Sequence, residues 1–156
     1  MAGMHIYLIR HAHAEDGEDD AARPLSAKGR RQIRKMASGL LKGGLLATEE
    51  FWHSPLVRAR DTAGLLAGKL AGQARLVEVA GLEPGAVPAK MAIRLNGLRR
   101  RVAVVGHEPF LSTLVTLMTT GHERPPVVVM KKCAVLALER TGSGWAVRWL
   151  LSPGEI

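Results

Sequence analysis

The chain is expected to fold as an α/β protein, a three-layer α/β/α sandwich around a mostly parallel central sheet, and three observations carry that expectation. Two uninterrupted apolar runs, Ile6–Ile9 and Val102–Val105, have the character of strands covered on both faces. Segments with helical spacing alternate with further strand candidates, the pattern that builds a parallel sheet flanked by helices. Turn-rich β segments close the chain, and these last strands would add an antiparallel edge. At 156 residues and 47% apolar, residues 1–156 are read as one domain with a real core.

In chain order, the first strand ends in Arg10-His11-Ala12 and is followed by a polar loop, Ala14 to Arg23. Ser26 suits a helix N-cap, and Ile33, Met36, Ala37, Leu40 and Leu41 then share one helical face until Gly43-Gly44 stops it. Phe51-Trp52-His53 is a short strand leading into Ser54-Pro55, an N-cap followed by proline at the first helical position. Leu56, Ala59, Ala63, Leu66 and Leu70 would be the buried face of that helix, with Arg58 just after its first turn. Arg75 to Val79 is a third strand candidate, and Glu83-Pro84-Gly85 turns the chain into a helix with Val87, Met91, Ile93, Leu95 and Leu98 as apolar members.

After Arg99-Arg100-Arg101 comes the second fully apolar strand, which ends in His107. Pro109 starts a helix whose core face is Phe110, Leu111, Leu114, Val115 and Met118. Val127 to Met130, Cys133 to Leu138 and Trp145 to Leu151 are the closing strands, joined in part by Thr141-Gly142-Ser143-Gly144.

A net charge of +8 favours an anionic partner without choosing among nucleic acid, membrane surface, phosphoprotein and small phosphate. Arg23 to Lys42 holds seven basic residues and no acidic one, directly after the cluster Glu15, Asp16, Glu18, Asp19, Asp20. A solvated helix face is the plain explanation of that run. The single cysteine, Cys133, excludes an internal disulfide framework. With no apolar run of membrane-spanning length and no signal-like N-terminus, a cytoplasmic protein without a membrane partner is expected.

In a parallel sheet, His11 and His107 both emerge at the carboxyl edge, where ligands of open α/β sheets sit. Arg58, near the start of a helix that follows another strand, belongs to the same edge, and Arg10 and Arg23 can reach it. Such a set suits phosphoryl transfer, where the task is to position a group and stabilise charge spread over three oxygens. Guanidiniums embrace those oxygens with fixed forks of donors. An unprotonated imidazole can attack phosphorus, while a second one donates to the same oxygens.

At these residues the sequence resembles the histidine phosphatase superfamily, with its phosphoglycerate mutase-like fold, and within it the SixA-type phosphohistidine phosphatases. The matching segments are Leu8-Ile9-Arg10-His11-Ala12, Arg23-Pro24-Leu25-Ser26-Ala27-Lys28-Gly29, Ser54-Pro55-Leu56-Val57-Arg58-Ala59-Arg60-Asp61-Thr62-Ala63 and Val104-Val105-Gly106-His107-Glu108-Pro109. The resemblance implies a metal-independent phosphatase without a cofactor, acting on phosphohistidine in a protein of the histidine-phosphotransfer type. It implies that His11 is the phosphorylated nucleophile, that Arg10 and Arg58 hold the phosphate with Arg23 as a further member, and that His107 completes the pocket.

Larger members of the superfamily protonate the leaving oxygen with a carboxyl group, and here Glu83 and Glu108 both qualify by position. Glu108 is equally an N-cap for the helix begun by Pro109. A small phosphate ester or anhydride is the alternative substrate.

Other chemistries fit less of the chain. His11-Ala12-His13 could present a metal pair, with Glu15 and His107 as further ligands, although hydrolases built on that pair usually occupy far longer barrels. A cysteine phosphatase needs an arginine six positions after its thiolate, and position 139 is Glu139. Gly64 to Leu70 lacks the spacing and hydroxyl of a phosphate-binding loop. A nucleic-acid module using Arg30, Arg31, Arg34 and Lys35 would have only 4% aromatic residues for base stacking, so no nucleic-acid partner is expected. His5, His53 and His122 are read as ordinary structural histidines.

Overall fold

The structure, a computed structural model, describes residues 3–156. Its strands are β1 (His5–Arg10), β2 (Glu50–His53), β3 (Arg75–Glu78), β4 (Val102–Gly106), β5 (Val135–Thr141) and β6 (Gly144–Leu151). They form one sheet in the spatial order β3-β2-β4-β1-β5-β6. The first four run parallel, while β5 pairs antiparallel with β1 and β6 with β5. The expected antiparallel edge is therefore present.

Helices α1 (Ala27–Gly43), α2 (Val57–Leu70), α3 (Pro88–Asn96) and α4 (Phe110–Thr120) cover the sheet. Alternation along β1 and β4 divides the core in two. Ile6, Leu8, Val102 and Val104 pack with Met91 and Leu95 of α3 and Phe110 and Leu114 of α4. Tyr7, Ile9, Ala103 and Val105 pack with Ile33, Met36 and Leu40 of α1 and Ala59, Ala63 and Leu66 of α2. A strand buried on both faces has no position free for a polar residue, which is why these two runs are continuous. The three-layer sandwich follows directly.

Ser26 caps α1, its hydroxyl oxygen accepting the Gly29 N–H at 3.0 Å, and Gly44 ends the helix with a left-handed φ of 58°. A Cβ on Gly29 would overlap the His13 carbonyl oxygen. Only glycine lets the first turn of α1 approach the loop after β1 this closely.

Several local expectations are corrected. Val127 to Met130 is not a strand, because its backbone is taken up by side chains: the Val127 N–H donates to Thr116 Oγ1 (3.1 Å) and the Met130 N–H to Glu108 Oε2 (3.3 Å). β5 starts at Val135, and Cys133 instead makes a turn at φ 63° whose N–H is shared by the Arg10 and His11 carbonyls. α3 is short and starts at Pro88, burying Met91, Ala92 and Leu95. Ile93 lies on its opposite side and is 73% exposed, and Val87 and Leu41 are exposed too. Among the described residues, no helix is long and apolar enough to cross a membrane.

Candidate active site

The parallel register sets the ends of three strands side by side. Arg10 pairs with Gly106, the His11 N–H donates to the Gly106 carbonyl at 3.0 Å, and the Ser54 N–H donates to the Val105 carbonyl at 3.2 Å. His11, His107 and Ser54 therefore leave β1, β4 and β2 as neighbours at one edge. The imidazoles of His11 and His107 stand 5.0 Å apart between centroids, tilted by 51°. Both are buried, at 7% and 1% exposure.

His11 Nδ1 lies 2.7 Å from the Ala12 carbonyl oxygen. Only a ring N–H can pair with a carbonyl, so the proton sits on Nδ1 and Nε2 carries the lone pair. Burial pushes the imidazole down to about 4, with the Arg58 and Arg10 guanidiniums and the Lys132 ammonium acting in the same direction against the Ala12 carbonyl. At neutral pH the ring is uncharged. The Ala12 N–H in turn donates to Thr62 Oγ1 (3.0 Å), and that hydroxyl donates to the Arg58 carbonyl (2.7 Å), which latches the first turn of α2 to this loop.

Burial, reinforced by His11, Arg58 and Arg10, holds His107 at about 3. Its Nε2 is 2.6 Å from the Ser54 hydroxyl, which also accepts the Leu56 N–H. Nδ1 of His107 and Nε of Arg10 are buried without a hydrogen-bond partner among the described residues. Arg10 Nη1 donates to the Met130 carbonyl at 2.9 Å. Buried polar atoms left open in this way mark the place a ligand would satisfy.

Arg58 is only 5% exposed. Its Nη1 donates to the Asp20 carbonyl at 2.8 Å, and its Nη2 donates to Asp20 Oδ2 at 3.2 Å. Asp20 begins a short 3-10 turn, Asp20–Ala22. Its Oδ1 accepts from Arg23 Nη1 at 3.1 Å, and Arg23 Nε donates to the Glu15 carbonyl. The Arg23 guanidinium, followed by that of Arg58, holds the Asp20 carboxyl below its ordinary range. Arg23 thus joins the group through Asp20 and bonds to neither histidine.

Both candidate acids are occupied by backbone. Glu108 Oε1 accepts the Ser112 N–H at 2.7 Å, while Oε2 takes the Ser112 hydroxyl and the Met130 N–H. Glu83 Oε2 accepts the Gly81 N–H at 3.0 Å. His13 Nδ1 faces the Ser26 hydroxyl at 2.6 Å. Among the described residues, no three His, Cys, Asp or Glu side chains are grouped to hold a metal ion. Burial pushes the Cys133 thiol up to about 12, far from a reactive thiolate.

Sequence reasoning missed Ser54, Asp20 and Thr62. Ser54-Pro55 reads as a helix start, but α2 begins at Val57, its N-cap position is Leu56 with no side-chain cap, and Arg58 falls inside the first turn. The Ser54 hydroxyl is thereby free for His107. Asp20 lay in an acidic cluster with no periodicity to single it out, and Thr62 sits four residues after Arg58, on the same helical face.

In chemical terms, the site offers a neutral imidazole with a directed lone pair, a second neutral imidazole, and two guanidiniums. Side chains of this kind can hold a tetrahedral oxyanion and present a nucleophilic nitrogen to it. Residues 6–83 match the family model described as Histidine phosphatase superfamily (branch 1). Among solved structures, the protein histidine phosphatase SixA complexed with tungstate is 25% identical with a TM-score of 0.87, covering 97% of this chain and 99% of that one. The alpha-ribazole phosphatase from Shigella flexneri is 17% identical with a TM-score of 0.77, over 96% and 97% of the two chains. A phosphoserine phosphatase mutant from Entamoeba histolytica, in complex with phosphoserine, is 16% identical with a TM-score of 0.69, over 96% and 98%. A search among curated proteins returns no match.

Proposed function

This chain belongs to the histidine phosphatase superfamily, and from that premise we propose that it is a metal-independent phosphatase that takes the phosphoryl group from phosphohistidine in a protein, by way of a phosphohistidine on its own His11. The observation that carries this reading is the His11 ring: Nδ1–H is held by the Ala12 carbonyl, so Nε2 is the free nucleophile. Similarity to SixA, the neighbour bound to tungstate, a tetrahedral oxyanion, supports the substrate class.

In the first half-reaction Nε2 of His11 attacks phosphorus while Nδ1 keeps its proton, the P–N bond to the substrate breaks, and the substrate ring, protonated on its other nitrogen, takes the electron pair and leaves as neutral imidazole. In the second, water attacks the phosphorus on His11, loses a proton to solvent, and releases inorganic phosphate and the neutral imidazole. The charge spread over the phosphoryl oxygens is met by Arg58 and by the open Nε–H of Arg10. When the Ser54 hydroxyl donates to Nε2 of His107, the ring proton is placed on Nδ1, the atom without a protein partner, and His107 becomes a neutral donor to the same oxygens.

An imidazole departs more readily than an alkoxide. The occupied carboxylates of Glu108 and Glu83 therefore suit a phosphohistidine substrate, which makes little demand on a general acid. The alternative is a small phosphate ester or anhydride, as the named substrates of the ribazole and phosphoserine phosphatases would suggest. A cytoplasmic setting accords with the reduced, buried Cys133.

The test is to incubate the purified protein, in excess chelator, with a phosphorylated histidine-transfer domain and separately with phosphoserine, alongside His11→Ala. Turnover of the domain that is lost in His11→Ala is expected. Undiminished turnover by the variant overturns the mechanism, and activity on the small ester alone overturns the substrate.

A further inference from the structure

We propose that the exposed face of α1 formed by Lys28, Arg31 and Lys35, continued to the pocket by Lys132, is a docking surface for an acidic face of the protein that carries the phosphohistidine. This rests on the phosphohistidine reading above and adds the means by which the partner is held.

Placement is the first support. Lys28, Arg31 and Lys35 are spaced i, i+3 and i+7, so they form one stripe along the helix. Together with Gln32, Pro153 and Gly154 they line a shallow hollow of about 380 Å³. Gln32 ties that stripe to the site, because its Oε1 accepts the N–H of His13, two residues after the nucleophile, at 2.9 Å. Lys132 directly precedes Cys133, whose N–H is shared by the Arg10 and His11 carbonyls, so its backbone lies beside the site; burial, followed by the charges of Arg10, Arg23 and Lys28, lowers its affinity for a proton.

The second support is that these cations, Lys28, Arg31, Lys35 and Lys132, make no ion pair among the described residues. α1 carries no acidic residue in its first turn, whereas acidic groups are what a helix N-terminus stabilises. Arg31 and Lys35 are like charges four apart, which is unfavourable in an isolated helix. Asp16 acts on Lys132 with the opposite sign, and Glu155 lies in the C-terminal turn that packs on α1. An acidic partner surface would relieve all of these contacts at once.

The stripe has no aromatic side chain on which an unpaired base could stack, and the phosphohistidine reading above supplies a protein partner. The stripe is also short: seven residues of helix rise about 10 Å, a length matched by two or three acidic residues on a partner helix.

The experiment compares the wild-type chain with the triple variant Lys28→Glu, Arg31→Glu, Lys35→Glu on two substrates, a phosphorylated histidine-transfer domain with an acidic face and free phosphohistidine. The variant should lose roughly tenfold or more in kcat/KM on the domain, through KM, and should keep its rate on free phosphohistidine. The wild-type rate on the domain should fall steeply with salt, and the variant's should not. The small-substrate rate also reports that the variant is folded. Equal rates on the domain, or equal losses on both substrates, overturn the docking surface. Retention on duplex DNA at physiological salt, lost in the variant while the domain kinetics stay unchanged, assigns the stripe to nucleic acid instead. A wild-type chain active on neither phosphohistidine substrate overturns the functional reading itself, which separates that failure from failure of the docking surface.

Discussion

The Ser54 hydroxyl lies 2.6 Å from Nε2 of His107, and this contact joins the end of β2 to the end of β4 beneath the site. His107 is almost fully buried and its other nitrogen has no protein partner. Among the described residues, Ser54 is thus the one group that can set which nitrogen holds the proton. Ser54→Ala should lower kcat with little change in KM, by about 2 kcal/mol or roughly thirtyfold, the effect of leaving one buried polar atom unmatched. Ser54→Thr keeps the hydroxyl and should recover most of the rate. Steady-state kinetics of the two variants checks this, and equal losses in both would show that the hydroxyl is not what matters.

Arg58 and Asp20 should differ sharply although they touch. Arg58 is buried against the site, and Arg58→Ala should cost about 3 kcal/mol of transition-state stabilisation, more than a hundredfold in kcat/KM. Asp20 holds the same guanidinium from outside with a side chain 65% exposed, so its pair is largely screened by solvent. Asp20→Ala should cost at most about 1 kcal/mol. A loss below tenfold for Arg58→Ala would argue against the phosphate pocket.

The architecture was legible because buried parallel strands leave an unmistakable apolar run, and both runs end in the histidines that the register then brings together. Helix α1 was legible at both ends through Ser26 and Gly44. Less could be read where tertiary partners replaced local ones. Val127 to Met130 has strand composition but spends its N–H groups on Thr116 and Glu108. Ser54-Pro55 looks like a cap, and its hydroxyl is claimed across the sheet by His107. Asp20 carries no local pattern at all, since its role depends on a helix that comes later in the chain.

Two depressed histidines make the fold sensitive to acid. In the folded chain His11 and His107 titrate at about 4 and about 3, against an ordinary 6.5. Above about 6.5 neither state binds the proton, and stability is unaffected. As pH falls below it, the unfolded chain takes up protons that the fold refuses. Stability should then drop by about 1.4 kcal/mol per pH unit for each histidine, until the folded-state values are reached. Urea unfolding between about pH 6 and about pH 5 should show this slope, and the double variant His11→Gln, His107→Gln should show a shallower one. Parallel slopes would place the histidines' proton affinity at its ordinary value.

Activity should follow the same group in the same direction. Because Nε2 of His11 must be unprotonated to attack, the acid limb of kcat/KM should fall near pH 4 and leave activity intact through the range where an ordinary histidine charges. A pH–rate profile with its acid limb at about 6.5 would mean that His11 is not held neutral by burial.

The most direct measurement is to identify the phosphorylated residue in enzyme quenched with alkali during turnover of a phosphorylated histidine-transfer domain. An acid-labile, alkali-stable phosphoryl group is expected on Nε2 of His11, lost in His11→Ala and accumulating when hydrolysis is slowed. Turnover without a phosphorylated enzyme, or a phosphoryl group on any other residue, would contradict the mechanism.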